Sequence, residues 1–561
     1  MEGEKVTQSD LAGRNIPRHW FKRLSTTGIF IGGICLAASL TPSLIPRSYM
    51  VQGVLSGTAF AVGYAAGVFA VWLWLYLQLP TPRRSIALWL RLLTALLVAA
   101  LAVLCLWKAA EWQNSIRALM QMPPVDTAHP FRTGLIAALV FLVWLALARL
   151  FSGVVHRASA YLQRVLPRRV ANVLAAAVAI ALFWGAIEGV LFRQTLHLVD
   201  SSFRELDSYI DADTPPPADP MKTGSSQSLI AWESLGARGR EFIATGPDAA
   251  EIGAFFSEPA MEPLRTYVGL NTRETVQERA AVALQEMLRT GAFEREVLVV
   301  VVPTGTGWVD PAAMDPLEYL HRGNIASVAM QYSYLSSWLS LLIEPGYGAE
   351  AGRALFQAVY EHWTGLPPGE RPRLYLYGLS LGAMNSELST DLFEVIADPF
   401  QGALWAGPPF PSYTWRKVTN ERLPSTTEWL PSFRDGAIIR FTGQKNNLEN
   451  ASAPWGPVRI VYLQYASDPV TFFSPSSAYR EPDWMKSPRG PDVSPELRWF
   501  PVVTMLQLAV DMMLATTTPI GYGHIYAPEH YIDAWMEVTS PPPLSPEELD
   551  RLKKHHAARF E

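Results

Sequence analysis

Cysteine is scarce: the 561 residues contain two, Cys35 and Cys105, both in apolar stretches. No disulfide framework or cysteine-based zinc site can be built from them, and the redox compartment stays open. Charge is scarce too, at 17% of residues, and the net formal charge is −5. Without a basic excess there is no electrostatic footprint for nucleic acid. Walker-type and dinucleotide glycine motifs are missing, as is any internal repeat of solenoid period. No residue pattern calls for a metal or an organic cofactor.

What is abundant is apolar surface. Hydrophobic residues reach 49%, with 19 tryptophans, yet a mean hydropathy of +0.11 is too low for a chain wholly in lipid. The composition is a mixture, and the chain is long enough for two or three domains.

The apolar part comes first. Five runs, 28–45, 51–79, 86–107, 134–151 and 170–192, approach the ~20 residues that a bilayer-crossing helix needs. The second has no charged residue, and Gly53, Gly57, Gly63 and Gly67 recur along it, a spacing that lets helices pack closely. Arg91 lies near enough to a span end to snorkel. Glu188, also near an end, suits an interfacial or bundle-facing place. The first run lacks a small-residue cleavage site after it, which makes it an uncleaved anchor rather than a signal peptide.

Basic residues are unevenly shared between the connections. Lys5, Arg14, Arg18, Lys22 and Arg23, then Arg83 and Arg84, then Arg149, Arg157, Arg164, Arg168 and Arg169 fall on one side; Arg47, Lys108, Arg117 and Arg132 fall on the other. That asymmetry places the N-terminus in the cytoplasm. With five spans, everything after residue 192 lies outside it; with four, the conclusion reverses.

Beyond residue 195 the texture changes. A Pro/Asp/Ser/Gly stretch at 211–228 reads as an exposed connection. Strand-length apolar runs then alternate with helical patterns, the sign of a mostly parallel α/β sheet. The chain thus divides into a basic arm (1–25), a helical membrane domain (26–194), a linker (195–228), an α/β domain (229–540) and a tail helix (541–561). In the tail, Ser545-Pro546-Glu547-Glu548 supplies cap, N1 proline and N3 glutamate. Its His555 and His556 read as a solvated helix end.

Gly378-Leu379-Ser380-Leu381-Gly382 stands between the strand-like 374–377 and a helical run. This is the sequence form of a nucleophile elbow, with Ser380 at the corner. Glycines flank it because the turn is tight and strand and helix backbones nearly touch. A serine needs a base, and the base an orienting acid, in the chain order Ser, Asp or Glu, His. Of the four histidines beyond Ser380, His524 sits in a glycine-bracketed loop, whereas His530 lies in a helical stretch and suits a structural role. Asp468 follows the strand-like 458–465 directly, and so belongs at the strand edge where the serine lies. Asp435 precedes a strand and falls at the wrong edge.

An oxyanion requires two preorganised N–H donors. Leu381 offers one. The second would come from Thr304, Gly305 or Thr306, in the loop after the valine-rich run 297–302; which amide donates is open. A phosphate-binding loop is the rival reading of 304–307. Residues 411–435, with Trp415, Trp429 and Phe433, suit either core packing or a lid over the site.

Residues 40–47, Gly305-Thr306-Gly307-Trp308, 378–382, Ala406-Gly407-Pro408-Pro409-Phe410, Ser467-Asp468-Pro469 and Gly523-His524 together resemble a bacterial family of membrane-anchored α/β-hydrolases. The likeness spans about residues 25–540. It implies an N-terminal multi-span domain, a C-terminal α/β-hydrolase fold, and Ser380, Asp468 and His524 as catalytic residues. The expected protein is a serine esterase or lipase in the bacterial inner membrane, acting on a lipid-like or cell-envelope ester beside the bilayer. Acyl transfer through the same serine and a non-catalytic scaffold are the alternatives.

Overall fold

The computed structural model describes residues 24–80, 84–185, 207, 215–335, 346–390 and 395–560. The N-terminal part is helical: α1 (Thr26–Ser39), α2 (Tyr49–Tyr76), α3 (Arg84–Leu119), α4 (Pro130–Leu162) and α5 (Arg168–Gly185). Helices α2 to α5 are long and apolar enough to cross a membrane. Small residues hold them together. A Cβ on Gly57 would lie 2.5 Å from the carbonyl oxygen of Ala137 in α4, and one on Gly67 would lie 2.6 Å from Cα of Gly28 in α1. Backbones approach this closely only where there is no side chain.

The first expected span, 28–45, is not one helix. Helix α1 ends at Ser39 after 14 residues, a rise of about 21 Å against a hydrocarbon core of ~30 Å. Its start is level with Tyr64 and Gly67, inside α2 rather than at its far end. Residues 40–47 leave the helix because Pro42 and Pro46 cannot continue it, and Leu44 and Ile45 join the core of the α/β domain. The end of the fifth expected span, 186–192, falls outside the described residues, as does most of the expected linker.

The C-terminal part is a three-layer α/β domain. Its strands are β1 (Leu264–Val268), β2 (Val297–Val302), β3 (Ile325–Met330), β4 (Arg373–Leu379), β5 (Gly402–Ala406), β6 (Ile439–Thr442) and β7 (Arg459–Leu463). They form one sheet in the order β1-β3-β2-β4-β5-β7-β6, with every neighbouring pair parallel. Burial on both faces explains the uninterrupted valine run of β2. Edge strand β1 lies outside the expected runs; its alternating Arg265 and Thr266 mask the apolar pattern. The helices are α6 (Gly236–Ala244), α7 (Ala249–Phe256), α8 (Val276–Arg289), α9 (Pro311–Leu320), α10 (Tyr347–Gly365), α11 (Leu381–Glu387), α12 (Tyr413–Asn420), α13 (Pro469–Phe472), α14 (Val503–Met513), α15 (Pro528–Thr539) and α16 (Pro546–Ala557).

Terminal helix α16 has the expected capping box, and Lys554 and His555 are exposed as expected, but His556 is not. The helix packs on α15, and His556 is fully buried against Tyr319. Burial pushes the His556 imidazole down to about 3.

The two parts are joined through buried polar contacts. Arg47 Nε donates to Asp511 Oδ1 at 2.9 Å, both side chains being essentially inaccessible, and Leu44 N donates to Asp511 Oδ2 at 3.0 Å. Gln52 and Ser43 also accept from the Arg47 guanidinium. By charge pattern Arg47 reads as an ordinary flanking residue; in the fold it is the pin of the joint. Ser115, near the end of α3, meets Ser494 at 2.8 Å.

Candidate active site

A parallel sheet delivers all its strand C-termini to one edge. Here the loops leaving β2, β4, β5 and β7, strands that form the middle of the sheet, converge there. Ser380 follows β4 at the turn into α11, with φ 58° and ψ −126°. A non-glycine residue in that region is strained and persists only where its surroundings impose it. The constraint is visible on both sides of the turn. A Cβ on Gly378 would lie 2.4 Å from the carbonyl of Gly382, and one on Gly382 would lie 2.1 Å from the carbonyl oxygen of Val302. The Ser380 amide donates to the Ala406 carbonyl at 2.9 Å, tying the corner to β5.

Asp468 leaves β7 as the N-cap of α13 and is completely buried. Its carboxylate accepts from four donors. His524 Nδ1 lies 2.7 Å from Oδ2, Tyr526 Oη donates to Oδ2 at 2.7 Å, Val470 N to Oδ1 at 2.8 Å, and Thr471 Oγ1 to Oδ2 at 3.3 Å. This shell fixes the orientation of the carboxylate, which in turn faces Nδ1 of the ring and leaves Nε2 turned away from it. The loop bearing His524 is held as well: Ala515 O accepts from His524 N at 3.0 Å, and Ser467 Oγ accepts from Gly523 N at 2.9 Å. Ser467 in turn donates to the buried Asp492 at 2.6 Å.

The His524 ring stands over the exit of β5. A Cβ on Gly407 would lie 2.7 Å from its Cε1, and the neighbouring Ala406 is the residue that binds the Ser380 amide. Imidazole and serine therefore flank the same strand end. Nε2 has no hydrogen-bond partner among the described residues, so the serine–imidazole bond is open in this conformation. Catalytic hydrogen bonds are often long before substrate binds.

The loop after β2 departs from expectation at Thr304. Its amide donates to the Trp308 carbonyl at 3.0 Å, and the Thr304 carbonyl accepts from Gly307 N at 2.9 Å, so this amide closes a tight turn and is not offered to a ligand. Gly305 and Thr306 form the tip of that turn. The Leu381 amide opens α11, where the first N–H groups have no intrahelical carbonyl. His530 lies apart from the Asp468–His524 pair, bonded to Tyr465 Oη at 2.6 Å, and burial drives it down to about 4. Asp435 caps the turn before β6, at the opposite edge. Trp415 is buried and donates to Gln464, and Trp429 and Phe433 pack on the core. Those aromatics of 411–435 therefore serve packing.

Two site residues have no motif to announce them. Tyr526 is found only through its bond to Asp468, although it sits two residues beyond His524. Asp310, at the N-cap of α9, accepts from Tyr531 Oη at 3.0 Å and Ala312 N at 2.9 Å. Burial pushes its carboxyl up to about 7, and the neighbouring His524 acts in the opposite sense. Among the described residues no cluster of His, Cys, Asp and Glu could hold a metal ion.

An all-parallel seven-stranded sheet with an Asp–His pair and a strained serine corner at one edge defines an α/β-hydrolase fold. The chain belongs to the Alpha/beta-hydrolase family, which matches residues 264–552; the N-terminus of an Alpha/beta-hydrolase family matches residues 40–247. Neither the curated proteins nor the solved structures yield a match.

Proposed function

We propose that this protein is a membrane-anchored serine hydrolase that cleaves a carboxylic ester of a lipid or envelope component through an acyl-serine intermediate. The observation carrying this reading is the buried Asp468–His524 pair at the strand edge that presents Ser380. In the reaction His524 Nε2 takes the Ser380 proton as Oγ attacks the ester carbonyl, and Asp468 stabilises the resulting imidazolium. The Leu381 amide, with a second donor from the loop after β2, receives the oxyanion. His524 then returns the proton to the leaving alcohol, and water repeats the sequence to release the acid.

The choice of a lipid-like ester is supported by where the site faces. The His524 loop lies beside the membrane half, with Tyr522 close enough to the Gln121 side chain, between α3 and α4, for its phenol to feel that amide. The carboxylate side is braced by the Ser115–Ser494 contact near Asp492.

Sidedness no longer depends on α1. The catalytic domain is met by the start of α2 (through Arg47), the end of α3 and the loop before α4. Arg83, Arg84, Arg149, Arg157, Arg164, Arg168 and Arg169 flank the opposite ends. With Arg47 removed from the count, the basic side is still the far one, and we assign it to the cytoplasm and the catalytic domain to the other face.

The test is covalent labelling of the full-length protein in lipid vesicles with a fluorophosphonate probe. Ser380 should carry the adduct, and Ser380→Ala should abolish it and lower ester turnover by about a thousandfold or more. Absence of labelling in correctly folded protein overturns the reading.

A further inference from the structure

Helix α14 buries every polar side chain it carries and leaves only apolar ones toward the outside. Its polar side chains, Thr504, Gln507 and Asp511, are all buried. Val503 and Leu508 are buried with them, while Met505, Leu506, Ala509, Val510 and Met512 on the other side are half-buried and Met513 is 65% exposed. A surface helix of a soluble domain keeps polar side chains on its outward face.

The inward polar groups have a common destination in the membrane half. Gln507 Nε2 donates to the Thr41 carbonyl at 3.0 Å, and Asp511 receives Arg47 and Leu44 N. Helix α14 thus packs on α1 and α2 at the level where α1 has ended and α2 begins. Helix α2, on which it packs, itself turns Met50 and Val54 outward. No charged side chain lies on the outward side of α14 to hold it in water.

We propose that α14 is seated in the bilayer, at the boundary between headgroups and acyl chains, and that membrane lipids occupy its outward face. Helices at this depth bury apolar side chains about 5–10 Å into the boundary region. Here the polar side is satisfied by the protein's own membrane hairpin instead of by water. The consequence reaches the catalytic residues. The chain leaves α14 through Ala515, whose carbonyl holds His524 N, and α14 packs on α13, the helix capped by Asp468. A lipid lying on α14 is therefore beside the segment that carries the base, and an ester would reach the site sideways from the leaflet. That last step rests on the hydrolase reading; the lipid contact does not.

The experiment uses the full-length protein in phosphatidylcholine–phosphatidylglycerol vesicles. Hydroxyl-radical footprinting compares Met513 with Met221 and Met261, which are less exposed, at 40% and 45%. Lipid cover predicts that Met513 is oxidised severalfold more slowly than either. In parallel, phosphatidylcholine carrying a diazirine on its acyl chain should leave adducts on residues 500–515. Oxidation of Met513 at least as fast as Met221 overturns the proposal. So do adducts confined to α2–α5, or crosslinks from 500–515 to a second copy or another protein. Fluorophosphonate labelling of the same samples separates the two ideas: lipid adducts without labelled Ser380 keep the docking surface and remove the hydrolase.

Discussion

Helices α4 and α15 are both rich in apolar residues and bury opposite kinds of side chain. In α4 the buried positions are Thr133, Ala137 and Ser159, while Leu135, Leu139, Leu142, Val143 and Trp144 point outward. In α15 the buried positions are Tyr531, Ile532, Ala534, Trp535 and Val538, and Glu529, Asp533 and Glu537 lie at the periphery. The difference follows from the surroundings. Where the outside is hydrocarbon, no hydrophobic force draws helices together, so close packing of small residues does so. Where the outside is water, burial of large side chains does, at about 25 cal/mol per Å². Helix α14 lies within the α/β domain and fits neither rule: its buried face mixes Val503 and Leu508 with Thr504, Gln507 and Asp511, and its other side is wholly apolar, which is the ground for the proposed lipid contact.

The most damaging way to break this comparison is at the joint between the halves. Arg47→Met leaves Asp511 buried without its cation and should cost about 3–5 kcal/mol, read as a fall in thermal stability of the full chain in detergent micelles. Arg47→Met combined with Asp511→Leu should recover most of it. A single variant as stable as the parent would show that the two halves are held by packing alone.

Acid sharpens the comparison in the catalytic half. His530 is held down to about 4 by burial, and His321 to about 3. Between the ordinary value near 6.5 and those depressed values, the unfolded chain binds protons that the folded chain does not. Stability is therefore complete above pH 6.5 and falls as pH drops toward 4, by about 3 kcal/mol for His530 alone. His530→Gln should remove one proton from the uptake measured on unfolding near pH 5. An unchanged uptake would assign the acid sensitivity elsewhere.

In the membrane half, Gly57→Val drives a side chain into the Ala137 carbonyl and should separate α2 from α4, at about 1–3 kcal/mol. Unfolding of the helical half should move, with fluorophosphonate labelling of folded protein retained. The smallest effect is expected at the capping box of α8. Thr275→Ala removes the cap for Glu278 N and should cost about 1 kcal/mol, all of it in the α/β domain. A shift in the helical half instead would mean that the two parts unfold as one.

Local features of the sequence carried far. The valine run became β2, and the glycine-flanked serine became a strained corner between β4 and α11. Each depends on neighbours within a few residues, where periodicity and backbone sterics operate. The misreadings share a cause. Residues 40–45 looked like the tail of a span because apolar content does not distinguish lipid from a protein core. Thr304 looked like a donor because glycine spacing does not say which amides a turn consumes. His556 looked solvated because its burial is decided by Tyr319, far away in sequence.

The order and type of elements, the membrane–soluble division and the corner at Ser380 are properties of the sequence itself, since they arise from side-chain patterning and short-range backbone geometry. The meeting of Asp468 with His524, the Arg47–Asp511 pin across more than four hundred residues and the outward apolar face of α14 were decided only in three dimensions. Such contacts exist because folding pairs groups that linear spacing leaves unrelated, and a buried charge or carboxylate is tolerable only where the partner arrives with it.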